Sequence, residues 1–206
     1  MFIHLYLQPD LRIKDENKQA AIREKAIEMI VKEGFDGLSM QKLAKEANVS
    51  PATIYLYFKN REDLLNQLFI EVEKKFMETT LQNFDPEMSF ENGLWLQWKN
   101  RLKHINEFPN HFYFMEQFKH SHLINNKDVK NNSFREIMGK FCRNAVSRNE
   151  LKPLPIEIYW SIAYGPFYSL IKFHLNQKSF TGVPFELTEE KMKEAFDLVI
   201  ETLKKE

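Results

Sequence analysis

Apolar residues recur at helical spacing nearly throughout the chain, and no stretch alternates convincingly with a period of two. Residues 14–34 place Ile22, Ala26, Ile27, Ile30 and Val31 on one face, with Gly34 as the stop. Phe35, Asp36 and Gly37 make a short connection, and Ser39 caps a second helix over 40–47 whose inner face is Leu43, Ala44 and Ala47. Asn48 stands where the chain needs a left-handed residue, and Val49 plugs the turn. Ser50 followed by Pro51 starts a third helix over 51–58, which turns Ile54 and Phe58 inward. Asn60 caps a fourth, running from 61 to about 84, with Glu62 and Asp63 at the positive end of its dipole. Asp85 and Pro86 break it. Further helices are expected over 90–108, 109–121, 133–148, 156–177 with an interruption at Gly165 and Pro166, and 188–205. Polar or proline-bearing loops separate them at 125–132, 153–155 and 178–187. The expectation is an all-α fold of about nine helices, with a three-helix head over 12–67 and a larger helical part over 68–206. The boundary lies inside the fourth helix, so motion in one part would be passed mechanically to the other.

Composition narrows this picture. The chain has 206 residues, 43% of them hydrophobic, which suffices for a small domain joined to a larger one. The formal net charge is zero, yet residues 12–61 carry ten Lys/Arg against seven Asp/Glu, so the modest basic excess sits on the head. The single cysteine, Cys142, forms no internal disulfide, which suits a reducing cytoplasm. Residues 1–11 have an apolar look but are too short for a signal segment, lack its basic start and cleavage site, and read as a leader outside the fold or, alternatively, packed on its surface. No run approaches the roughly 20 apolar residues of a membrane span, so no membrane partner is expected.

The 38–65 stretch carries the chemistry. Two short helices joined by a tight turn form a helix-turn-helix, whose second helix leads into the DNA major groove with its N-terminus. Ser50, Pro51, Ala52 and Thr53 are small and face outward for close approach to bases. Tyr55 and Tyr57 offer hydroxyls to phosphates, Lys59 and Arg61 follow the helix, and Ser39 and Gln41 lead the preceding one. The same geometry also occurs in proteins that bind no DNA, and a Tyr-rich short helix also occurs as ordinary core. The residues Gly37-Leu38-Ser39, Leu43-Ala44, Ala47-Asn48-Val49-Ser50 and the run Thr53 to Leu65 resemble the TetR family of bacterial transcriptional regulators. The family often has Gly where this chain has Asn48. Pro51 and Ala52 fall where the family varies, so the operator is not legible from the resemblance.

That resemblance implies a helical C-terminal part that dimerises and binds a small effector. The residues 156–177 are apolar on more than one face, as befits a helix buried on most sides. With the last helix they offer a four-helix dimer interface of Ile158, Ile162, Leu170, Phe173, Met192, Phe196, Val199 and Leu203, although the pair could equally pack within one subunit. Aromatic residues make up 14% of the chain, more than one face needs. Trp95, Trp98, Phe114, Phe118, Phe141, Phe167 and Tyr168 are candidates to line a pocket for a flat or greasy molecule, with Gln117, Tyr164 or His174 orienting it, while core packing is the plainer reading. No metal or other cofactor is expected: His120 and His122 are two apart, a poor helical chelate, and His111 has no ligand set beside it. No nucleophile elbow or Gly-rich phosphate loop supports an enzyme. The reading is therefore a homodimeric regulator, a repressor on a near-palindromic double-stranded operator, released by an unknown small hydrophobic or aromatic effector. The alternatives are a helical interaction protein of the same fold without DNA binding, and an enzyme with an aromatic pocket.

Overall fold

The computed structural model describes residues 8–119 and 132–205, with side chains from Glu16 to Phe118 and from Ser133 to Lys205. Residues 1–7 of the expected leader, most of the 125–132 loop, and His120 and His122 lie outside the described residues; residues 8–11 already belong to the first helix. Among the described residues nine α-helices run in order: α1 (Gln8–Glu33), α2 (Met40–Glu46), α3 (Pro51–Tyr57), α4 (Arg61–Thr80), α5 (Phe90–Glu107), α6 (Pro109–Lys119), α7 (Asn132–Ser147), α8 (Ile156–Leu175) and α9 (Glu189–Leu203). No strand is assigned among the described residues, and none of their helices is long and apolar enough to cross a membrane.

Local chemistry sets the helix ends. The hydroxyls of Ser39, Ser50, Ser89 and Thr188 accept the amides of Lys42, Thr53, Asn92 and Lys191, satisfying donors that the first turn cannot. Asn60 Oδ1 does the same for the Asp63 amide at 2.8 Å. At the other ends the chain turns left-handed on Asn48 (φ 54°), Asn83 (φ 58°), Asn149 (φ 58°) and Gln177 (φ 53°). After α2 the Val49 amide bonds back to Ala44 O at 2.9 Å and Asn48 to Lys45 O at 3.1 Å, the paired closure of a Schellman motif; α7 ends the same way. Asparagine tolerates this region because its short amide bonds locally. The expected interruption at Pro166 is absent: α8 runs unbroken through it. Proline there removes one bond, to Ile162 O, and the helix is held by its buried face of Tyr159, Ala163, Tyr164, Phe167 and Ile171.

The described residues divide into two compact units. The first contains α1–α3, α4 up to Lys75, and α6 from Asn110 onward; the second contains the remainder of α4 and α5, α7, α8 and α9. The sequence placed everything beyond 68 in one piece, whereas the structure groups α6 with the head. Phe114 and Phe118 are fully buried in the head's core with Ile22, Ile30, Leu43, Ile54, Phe58 and Leu68. Phe118 stacks on Phe69 at 4.7 Å and meets Phe35 edge-on at 5.4 Å. Gln117 Nε2 donates to Val31 O at 3.3 Å, and buried His111 faces Glu24 at 3.5 Å. The His111 hydrogen bond holds the Glu24 carboxyl below its ordinary range.

In the second unit, α5 is the central helix. Trp98 is fully buried, donates Nε1–H to Ala163 O at 2.9 Å, and lies 5.2 Å from Phe167 and 5.3 Å from Phe196. Gly93 lets α7 approach: a Cβ there would sit 2.5 Å from a ring carbon of buried Phe141 and 3.2 Å from Phe84. Gly93→Ala is therefore expected to cost about 1–3 kcal/mol through overpacking, read as a lowered urea midpoint with unchanged slope. A midpoint equal to wild type would show that α5 and α7 can separate freely.

Candidate nucleic-acid interface

The reading helix α3 is short, and its orientation is fixed from behind. Ile54 and Phe58 are fully buried, and Val49, Ala47 and Tyr57 pack against the same cluster. The Arg23 guanidinium lies 5.7 Å above the Phe58 ring. Ser50, Pro51, Ala52, Tyr55, Leu56 and Lys59 are exposed, and Thr53 and Tyr57 are half-buried. Ser50 and Thr53 share a hydroxyl hydrogen bond of 2.9 Å at the leading end. Ser39 and Gln41 are exposed at the start of α2, with Lys45 exposed on its last turn. Of the predicted contact residues, Ser39, Gln41, Ser50, Pro51, Ala52, Tyr55 and Lys59 are exposed, and neither α2's leading turn nor α3 carries a carboxylate.

Arg61 is placed differently from expectation. Its Nε donates to Leu38 O at 3.0 Å and its Nη2 to Phe35 O, so the guanidinium clamps the start of α4 to the loop before α2. Arg61 is half-buried, and these two bonds occupy its Nε and Nη2. Lys59 anchors its backbone instead, its amide donating to Asp63 Oδ2 at 2.8 Å. Lys42, near the surface, pairs with Glu33 and holds that carboxyl below its ordinary range. Leu56 is not among the residues the sequence singles out, and it is 79% exposed, against 54% for Tyr55. Its direction was available: with Ile54 and Phe58 inward, helical spacing turns position 56 outward.

A profile described as bacterial regulatory proteins, tetR family, matches residues 22–68, which span the end of α1, the helix-turn-helix and the start of α4. An HTH-type transcriptional regulator of Haemophilus influenzae is 36% identical over 135 residues, 66% of this chain and 71% of that protein. The chain belongs to the TetR family. The fatty acid metabolism regulator protein of Bacillus subtilis is 44% identical over 61 residues, 30% of this chain and 31% of that protein. A TetR family transcription regulator from Marinobacter aquaeolei VT8 superimposes with a TM-score of 0.83 at 26% identity, covering 95% of this chain and 100% of that one. The protein is thus a DNA-binding helix-turn-helix transcriptional regulator, and the expected all-α TetR fold is observed.

In this TetR-family chain the predicted effector residues are divided between the two units. Phe114, Gln117 and Phe118 belong to the head unit, where the two phenylalanines fill the core and Gln117 is half-buried. Trp95, Trp98, Phe141, Tyr164, Phe167 and Tyr168 belong to the second unit. Of these, Trp98, Phe141, Tyr164 and Phe167 are fully buried, and Trp95 packs on Phe196 at 4.9 Å. His174 bonds Asn106 and accepts the Leu187 amide. An open groove of about 570 Å³ lies elsewhere in the second unit, lined by Cys142, Val146, Leu151, Leu154, Ile156 and Tyr159, with Arg143 and Lys152 among its polar lining residues. None of the predicted effector residues lines it.

The predicted dimer residues separate by helix. On α8, Ile158 is exposed, and Ile162, Leu170 and Phe173 are half-buried, Phe173 lying against Phe185. On α9, Met192, Phe196, Val199 and Leu203 are buried within the protomer, where they form its own core and not a surface. The exposed apolar position of α9 is Leu198, at 67%, with half-buried Ala195 beside it one turn back.

Proposed function

We propose that this regulator is a homodimeric repressor that binds a near-palindromic operator and leaves it when a small hydrophobic or aromatic effector binds. The observation that carries the DNA half of this reading is the outward face of α3, with small side chains leading, hydroxyls flanking and a buried apolar rear. Two such helices, placed about one helical turn apart by a twofold axis, would enter successive major grooves. Phosphate contacts would supply affinity and its salt dependence, and α3 the sequence preference. The dimer would be built from the apolar outer side of α8, at Ile158 and Ile162, with Leu198 of α9. The effector half rests on the aromatic core of the second unit and on α4, a single helix that contributes residues to both units. Release requires that the effector favour a conformation with a different spacing of the reading heads, since only differential affinity shifts an equilibrium.

A gel shift with the DNA upstream of the protein's own gene tests this, and no shift at low salt would sink it. In the same assay Lys59→Ala should weaken binding. It should also reduce the slope of log affinity against log salt by about 0.9 for each phosphate contact removed, once per protomer. A variant with wild-type slope would show that Lys59 touches no phosphate.

A further inference from the structure

The second unit buries a guanidinium that has no counter-charge among the described residues. Arg101, in the middle of α5, has no exposed surface. Its Nη1 donates to Gln97 Oε1 at 3.1 Å and more weakly to Gln97 O at 3.4 Å, and its Nε donates to Tyr168 OH at 3.3 Å. The cation sits 4.5 Å from the Tyr164 ring centre and 5.7 Å from that of Phe76. All of these partners are neutral. Among the described residues no carboxylate makes an ion pair with it. Arginine does not escape burial by losing its proton. An unpaired charge in an apolar interior is costly, and proteins ordinarily pair it or avoid it.

The hydrogen-bond inventory of the cluster is unbalanced in one direction. Gln97 Oε1 already accepts twice, from Arg101 and from the Tyr164 hydroxyl at 2.6 Å. Two buried donors of the cluster, Arg101 Nη2 and Gln97 Nε2, have no acceptor. The cluster therefore lacks acceptors and negative charge together. A cationic ligand would worsen both deficits, and a neutral hydrophobic one would correct neither.

We propose that Arg101 and Gln97 anchor the carboxylate of an effector whose remaining body is apolar or aromatic. This rests on the effector reading above and narrows it from any greasy molecule to an anionic amphiphile. Two carboxylate oxygens would take the two orphan donors in the charge-assisted geometry that guanidinium favours. The rings of Phe76 and Tyr164 supply the apolar surroundings. Phe76 belongs to α4, so drawing the guanidinium toward an anion changes what that helix packs against. Binding at this point would thereby bias α4, and the anion would act as a ligand of one conformation more than the other.

The test uses the full chain with matched probes: dodecanoate and dodecanol, 2-naphthoate and 2-naphthylmethanol. Thermal melting is followed for wild type and Arg101→Met, and operator release is followed in parallel by fluorescence anisotropy. At least one carboxylate should raise the wild-type melting temperature by about 5–10 °C at a hundredfold excess over Kd. Its alcohol should bind at least tenfold more weakly. R101M should melt at or above the wild-type temperature without ligand, because its core no longer holds a lone charge, and should lose the carboxylate preference. Equal binding of acid and alcohol, or a carboxylate response preserved in R101M, would overturn the assignment. Should R101M fail to fold, Arg101→Lys decides: about tenfold weaker carboxylate binding supports the anchor, and unchanged binding overturns it. Operator release by the neutral probes alone would remove the anion assignment and leave the effector reading intact. Silence of all four probes in both assays would overturn the anchor, and effector responsiveness would then stand or fall on release by cationic drugs.

Discussion

Phe58→Ala is expected to lower the melting temperature by roughly 6–20 °C and to abolish operator binding. Phe58 has no exposed surface, ends α3, and lies beneath the Arg23 guanidinium. Truncating a buried Phe removes the transfer energy of the ring and leaves a cavity, costing about 3–5 kcal/mol. In a chain of this size each kcal/mol lowers Tm by about 2–4 °C. The effect on DNA binding follows separately, because Ile54 and Phe58 are the two fully buried side chains that set the rotation of a seven-residue helix. Leu56→Ala provides the contrast. That side chain is two positions away and faces solvent, so its truncation should change stability by no more than about 0.5 kcal/mol while still altering operator affinity. Thermal melting and anisotropy on both variants separate anchoring from contact. A Phe58→Ala protein with wild-type melting would show that the ring does not hold α3.

The difference between those two residues also explains what was legible in the sequence. The caps, the Asn48 turn and the inward pair Ile54 and Phe58 obey rules that act over four residues, so the head's helix-turn-helix could be read directly. The place of α6 could not. Phe114 and Phe118 have helical spacing, and spacing says that a face is buried without saying against what. The ring neighbours of Phe118, Phe35 and Phe69, lie about fifty to eighty residues away in sequence. The same ambiguity governs α9: Met192, Phe196, Val199 and Leu203 form a regular apolar stripe that suits a partner subunit or the protomer's own core equally well, and the structure places it in the core. Arg101 falls on the buried face of α5, three residues from Trp98 and four from Ile105. Its position signalled burial and its charge argued against it. Such conflicts between local chemistry and global placement concentrate at sites kept for function.

Placing a glutamate at both Ile158 and Leu198 is expected to turn the protein into a folded monomer and to reduce operator affinity by about 10²–10⁴-fold, the avidity lost when two linked heads become independent. The two positions are exposed in the protomer, at 48% and 67%, so the charges should cost the isolated chain little. In a twofold dimer each substitution is repeated by symmetry. Four carboxylates would then be introduced into an apolar contact, with like charges near the axis and their hydration lost. Analytical ultracentrifugation reads the mass, circular dichroism the retained helix, and anisotropy the operator affinity. The control is Met192→Glu. That residue is buried in the protomer core, so its substitution should unfold the second unit outright. A double variant that remains dimeric would move the interface away from the outer side of α8 and α9. A monomer that still binds the operator at wild-type affinity would separate DNA reading from dimerisation altogether, because one seven-residue helix would then be supplying the whole of the specificity.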